Sequence, residues 1–264
     1  MVHFENSYCG KMVKEQDPDR YLLSHFAPAD RRQDLWALFA FNYEIAKTRE
    51  IVSETQLGLI RLQWWREAVE KIYKGEILEH EGIEALARAI KTHNLPKDLF
   101  DALIYAREFD LEDVRPSTLE GLLHYADYTS TPLMTLALMI CGDDHETDPV
   151  QVVAVNYALA GVVRATISFA KQRRSYLPED LMNAHAVSMN TLFDLKKQDG
   201  LPEILRIISD EFVGGVKCES RFLKASQHLA KIYNGQLKKL GYDVFDGRSI
   251  LPPAFKELRL FLNL

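Results

Sequence analysis

The sequence has 264 residues, 47% of them apolar and 27% charged, with a net charge of −6. That is the make-up of a globular chain long enough to bury a core, and its acidic balance excludes bulk nucleic-acid binding, which needs a basic face. The three cysteines, Cys9, Cys141 and Cys218, are far apart and in no metal-ligand spacing, which predicts free thiols in a reducing compartment.

Weak periodicity over residues 1–16 predicts a loose lead-in, with neither a signal-peptide core nor an Arg-rich, acid-poor transit pattern, so neither secretion nor import is expected. Asp17-Pro18-Asp19 is a helix start, with proline in the first turn and acids at the positive end of the dipole. The short helix that follows ends at Pro28, and Asp30 opens a long helix over Arg31–Ile51. Ser53 with Gln56 three residues on has the spacing of a capping box for a helix over Glu54–Tyr73, closed by Gly75. Further helical periods run over Glu81–Thr92, Pro96–Glu108 and from Pro116 to Ile140, where Gly142 stops the last.

An acidic turn from Asp143 to Asp148 precedes a helix over Val150–Lys171; it lacks the glycine and terminal glutamate of a calcium loop and suits helix capping. Short helices follow at Leu177-Pro178 and over Ser188–Lys197, then a long stretch from Leu201 to Leu240 that Gly214-Gly215 would kink, and a final helix after Pro252-Pro253. No apolar run approaches the roughly 20 residues that span a bilayer; the nearest, Pro132–Cys141, predicts a buried helix. With no strand, repeat or linker in evidence, the reading is a single all-α domain over residues 1–264.

The chemistry of this chain turns on the stretch from Ala37 to Arg66. Residues 39, 43, 46 and 50 share one side of a helix and hold Phe, Tyr, Ala and Glu. A metal–diphosphate site there would need carboxylates one turn apart, since Mg2+ takes oxygen ligands, and this row offers Glu50 alone. Glu54 lies one turn on but past the expected break at Ser53, while Lys47 and Arg49 compete with any cation. Trp64 and Trp65 point about 100° apart on a helix, so one can be core and the other border a cavity. Arg164 sits within an apolar segment and needs a partner if buried, with Glu44 or Glu50 the candidates. Lys171, Arg173 and Arg174 follow at the helix C-terminus, where cations complement the dipole. Phosphate loops, HExxH, GxSxG and CxxC are absent.

ALFAFNYEIA and LQWWREAV resemble the first signature helix and the following segment of squalene and phytoene synthases, the all-helical head-to-head prenyltransferases. Tyr125-Ala-Asp-Tyr-Thr-Ser-Thr-Pro-Leu is similar to their Tyr-rich segment, and Gly161-Val-Val-Arg164 through Arg173, Arg174 and Tyr176-Leu-Pro178 to their second signature. The resemblance implies an isoprenoid-synthase-type helical bundle around a central cavity. It also exposes departures. Where the family carries Asp-Asp-x-x-Asp, this chain has Ala46, Lys47 and Glu50; where the second motif carries Asp-x-x-x-Asp, it has Ala165 and Phe169. With those carboxylates gone, the resemblance implies no catalytic residues, no bound metal and no cofactor.

Glu44-Ile-Ala46, Arg164-Ala-Thr166, KTHNLPKDL, Tyr242-Asp-Val-Phe-Asp and Leu251-Pro-Pro resemble a branch of that family that assists assembly of respiratory complex I. That likeness implies a non-catalytic factor meeting complex I subunits or other assembly factors, peripheral to the bacterial inner membrane or on the matrix side in a mitochondrion, with a lipid or isoprenoid as a ligand. Tyr43, Glu44, Gln63, Trp64, Arg66, Tyr125, Arg164, Arg173, Arg174 and Tyr176 are the residues expected to line the cavity or form a polar network in place of the metals. The alternative is a working prenyltransferase that grips diphosphate through Arg164, Lys171, Arg173 and Arg174, using Mg2+ only in that case.

Overall fold

A computed structural model describes residues 7–112, 114–143 and 147–262; among them every regular element is helical. The chain divides into two compact units.

The first unit comprises residues 1–112, 132–146 and 219–222. It contains α1 (Tyr8–Gln16), α2 (Pro18–Ser24), α3 (Arg32–Ala46), α4 (Thr48–Ile51), α5 (Thr55–Tyr73), α6 (Glu81–His93), α7 (Lys97–Leu111) and the C-terminal part of α8 (Leu119–Cys141). α3 is the axis of this unit: α1, α2, α6 and α7 all pack on it. Its residues from Asp34 to Asn42 are buried without a break, the pattern of a core helix with no solvated face.

α1 occupies the expected loose lead-in. Ser7 Oγ caps it by accepting from the Gly10 amide at 3.1 Å, and Cys9, Gly10 and Val13 are buried. A Cβ on Gly10 would lie 2.9 Å from the Trp36 ring, so a bare glycine is what lets α1 lie against α3. The expected Arg31–Ile51 helix is two pieces, broken at Lys47. Ser53 does not cap α5 either: Glu54 takes the N-cap position without a side-chain bond, and the Thr55 hydroxyl donates across to the Leu111 carbonyl at 3.2 Å. The polar network of this unit is otherwise dense. Asp34 accepts from His93 Nε2 at 2.9 Å, and the Arg31 guanidinium donates to His93 Nδ1 at 2.9 Å, which fixes the imidazole proton on Nε2.

The second unit comprises residues 113–131, 147–218 and 223–264. It holds the N-terminal part of α8, then α9 (Thr147–Lys171), α10 (Glu179–Ala184), α11 (Met189–Phe193), α12 (Leu201–Asp210), most of α13 (Arg221–Lys239) and α14 (Lys256–Leu262). Its core gathers Leu122, Leu159, Val163, Leu177, Ile204, Ile208 and Leu237. The segment Asp148–Lys171 is long and apolar enough by composition to cross a bilayer, although Asn156 and Arg164 interrupt its apolar run and 44% of its 18-residue apolar window is buried inside the protein.

The long helix expected from Leu201 to Leu240 is in fact α12 and α13 separated by ten non-helical residues, with Gly215 at φ +72°. The buried Asn156 side chain holds that segment: its Nδ2 donates to the Val213 carbonyl at 2.8 Å and its Oδ1 accepts from the Val213 amide at 3.0 Å. Of the acidic turn, Asp143 accepts from the Ser220 hydroxyl at 2.5 Å, while Asp144, His145 and Glu146 lie outside the described residues.

Candidate functional site

In the first unit the candidate residues gather where α3 ends. Glu44 is one helical turn before Lys47, which brings Lys47 Nζ to 2.5 Å from Glu44 Oε1. α5 supplies the second partner, with Arg61 Nη2 at 2.5 Å from Glu44 Oε2. Both carboxylate oxygens are therefore engaged by cations, and only 15% of the side chain is exposed. The Lys47 ammonium also lies 4.7 Å from the centre of the Tyr43 ring, whose hydroxyl donates to Gln16 Oε1 at 2.8 Å.

Mg2+ does not fit this arrangement. Ala46 brings no donor, Glu50 is exposed, and Glu44 is already neutralised twice. Among the described residues no group of three or more His, Cys, Asp or Glu side chains is placed to hold a metal. Arg61 was absent from the expected set; its contact with Glu44 spans 17 residues and two helices, a separation no local pattern signals.

Gln63 and Arg66 lie apart from that cluster, on the outer side of α5. Arg66 donates to Gln63 Oε1 at 3.1 Å and to Glu108 Oε1 at 2.6 Å. With Glu70, Lys97, Asp101 and Tyr105 they line an open groove of about 450 Å³, in which Lys97 bridges Glu70 and Asp101. Trp65 is core, edge-on to Phe41 at 5.5 Å, whereas Trp64 is 43% exposed.

In the second unit the candidates form an aromatic cluster. Tyr125 stacks on Tyr176 with ring centres 4.9 Å apart, and Phe169 meets the same ring edge-on at 4.8 Å. Arg174 donates to the Tyr176 hydroxyl at 2.5 Å. Its neighbour Arg173 ends α9 at φ +55° with its guanidinium 5.3 Å from the Phe193 ring. Arg164 lies over Tyr233 on α13, 3.5 Å from the ring centre, and Lys256 of α14 donates to the Tyr233 hydroxyl at 3.4 Å. Ala165 is half-buried and brings no ligand atom. At residue 169 a ring packs against Tyr176 where metal coordination would demand an oxygen.

Together these features define a helical scaffold of the isoprenoid-synthase type with a cation-paired glutamate at the end of α3 and an aromatic contact between Phe169 and Tyr176. The chain belongs to the squalene/phytoene synthase family, whose profile matches residues 13–211. It is 30% identical over 206 residues to the human protein described as NADH dehydrogenase (ubiquinone) complex I, assembly factor 6, covering 77% of this chain and 62% of that one. The chain thus spans about three fifths of the length of that relative. It is also 29% identical to a phytoene synthase of Thermus thermophilus, covering 94% of this chain and 92% of that one. A crystal structure of a dehydrosqualene synthase in complex with ligand superposes with a TM-score of 0.80 at 16% identity, covering 97% of this chain and 93% of that chain, which establishes the fold.

Proposed function

We propose that this protein acts in the assembly of respiratory complex I, at the membrane that carries it, and does so without Mg2+-dependent prenyl transfer. The observation that carries this reading is the state of Glu44: the one largely buried carboxylate at the end of α3 accepts from Lys47 and Arg61 on separate oxygens. A diphosphate-ionising site needs several anionic ligands to hold divalent cations close together. Here a lysine and an arginine take the place of those cations, and Phe169 and Ala165 supply no second set of ligands. The similarity to complex I assembly factor 6 supports the assembly role.

Two measurements test it. Titration calorimetry with a non-hydrolysable prenyl diphosphate, with and without Mg2+, is expected to show no Mg2+-dependent binding; tight Mg2+-dependent binding would overturn the non-catalytic reading and favour a prenyltransferase. Deletion of the gene in its own host is expected to lower the amount of mature complex I on native gels, and unchanged complex I would overturn the assembly role. Binding of the same prenyl compound without any metal dependence would identify an isoprenoid ligand compatible with the reading.

A further inference from the structure

The outer side of α5 carries an apolar stripe that no contact within the first unit explains. Leu57, Ile60 and Trp64 recur at steps of three and four residues, so they share one side of the helix, and they are 48%, 58% and 43% exposed. The other side of α5 is seated in the first unit: Leu62, Trp65, Ala68 and Val69 are buried, and a Cβ on Gly58 would lie 2.5 Å from the Leu111 side chain of α7. The stripe is therefore held on a fixed element. Trp64 is braced further, its ring edge-on to Trp65 with centres 5.0 Å apart, and Trp65 is in turn edge-on to Phe41. Single exposed apolar residues are ordinary. A stripe at helical spacing built around a braced tryptophan has the make-up of an interface anchor, because little freedom is left to lose on binding.

The charges around the stripe decide what can cover it. From Gln56 to Trp64 the one charged residue is Arg61, whose guanidinium is taken up by Glu44. At the N-terminal end stand Glu50 of α4 and Glu54, the N-cap of α5, both exposed; Arg49, next in sequence to Glu50, is half-buried. At the other end Glu67 is exposed and accepts from Gln63 at 3.0 Å, and the first lysine on this side, Lys71, is half-buried one turn further on. An anionic bilayer would meet carboxylates at both ends of the stripe, so a lipid surface does not match it. A protein helix does. Its apolar side would cover the stripe over about 15 Å from Glu54 to Trp64, and lysine or arginine at one end would meet Glu50 and Glu54.

We propose that the face of α5 holding Leu57, Ile60 and Trp64 docks an amphipathic helix of a partner protein, with Trp64 as the anchor and cationic residues of that helix set against Glu50 and Glu54. The inference deepens the assembly role and rests on it for the existence of such a partner, while the face itself can be tested on the isolated protein.

The probe is a helical peptide of about twelve residues with leucines along one side and lysines at one end, against the same peptide with glutamates in place of the lysines. Calorimetry on the full chain is expected to show the lysine form binding about fivefold tighter or more. Acrylamide quenching of Trp64, the exposed tryptophan beside the buried Trp36 and Trp65, should fall as the peptide binds. Leu57→Ser with Ile60→Ser should weaken binding by about tenfold or more. Glu50→Gln with Glu54→Gln should erase the preference for lysine. All four positions are exposed, and circular dichroism checks that each variant is folded. Equal binding of the two peptides, binding of neither, or variants that bind like the parent would overturn the proposal. So would parent dimers that Leu57→Ser with Ile60→Ser dissociates, which would assign the face to a second copy of the chain. In the host, that double variant is expected to lower mature complex I while present at the parental amount. Normal complex I with the variant, where gene deletion lowers it, would overturn the docking face alone. Unchanged complex I on deletion would overturn the assembly role, with the peptide titration still deciding the face.

Discussion

Replacing Glu44 by glutamine tests how firmly the end of α3 depends on one negative charge. Glutamine preserves the shape and leaves a neutral carbonyl oxygen for one donor, but Lys47 and Arg61 then face each other across an uncharged group. Exposed ion pairs contribute at most about 1 kcal/mol, and removing one partner of a fully buried pair costs about 3–5 kcal/mol. The side chains of Glu44, Lys47 and Arg61 are 15%, 23% and 30% exposed, which places this triad between those limits. We expect a loss of about 2 kcal/mol, which for a chain of this size lowers the melting temperature by roughly 4–8 °C. Thermal and urea unfolding followed by circular dichroism read it, with an unchanged urea slope showing that stability alone has moved. The loss should persist in moderate salt, because partly buried pairs are screened less than surface ones. A change below about 0.5 kcal/mol would refute the argument: water would then be satisfying the two cations, and Glu44 would be free to serve other ligands.

Restoring an acid at the second cluster should also be costly. Phe169→Asp removes the edge-on contact with Tyr176 and puts a charge beside two tyrosine rings, so a loss of about 2 kcal/mol is expected by urea unfolding, with no gain of Mg2+ binding by calorimetry. Burial pushes the Cys9 and Cys141 thiols up to about 11 and about 12, so at neutral pH both should resist a maleimide until the protein unfolds, while the half-buried Cys218 reacts first; mass spectrometry of timed samples reads the order. Burial, then Lys231 and Arg259, hold the His228 pKa below its ordinary 6.5 in the folded state. The unfolded chain therefore takes up that proton first, and stability falls as pH drops from 6.5 toward the lower folded value. His228→Gln should flatten the slope of melting temperature against pH across that window.

The helices with strong punctuation were legible in the sequence. Asn94 adopts the left-handed conformation that ends α6 and Gly142 ends α8, each as local chemistry requires, whereas the helix expected over Ser188–Lys197 is the shorter α11, Met189–Phe193. α1 was not legible, because what holds it is a bare glycine against Trp36 rather than a periodic apolar face. The Ser53 capping box failed because Thr55 bonds to Leu111, a residue 56 positions away, and tertiary contact overrode a local motif. At the site, the sequence itself gives Ala46, Ala165 and Phe169, none of which offers a carboxylate. The partner of Glu44 could not: the residues alone offered Arg164, whereas the structure brings Arg61 to Glu44 and sets Arg164 over Tyr233, through contacts that depend on helix packing.

Asn156 has a consequence for how this chain tolerates change. Its amide bonds both the N–H and the C=O of Val213, as a neighbouring peptide would, and so gives a non-helical stretch a fixed anchor without any secondary structure of its own. Gln227 donates to the same carbonyl at 3.0 Å and closes the clasp from α13. The exposed Gly214 and Gly215 just beyond it bear none of that load. A loop inserted, a tag placed or a peptide bond cut between those two glycines would fall outside the clasp and leave α12 and α13 seated, whereas Asn156→Ala, distant in sequence, would leave the Val213 amide without its partner and the carbonyl with Gln227 alone.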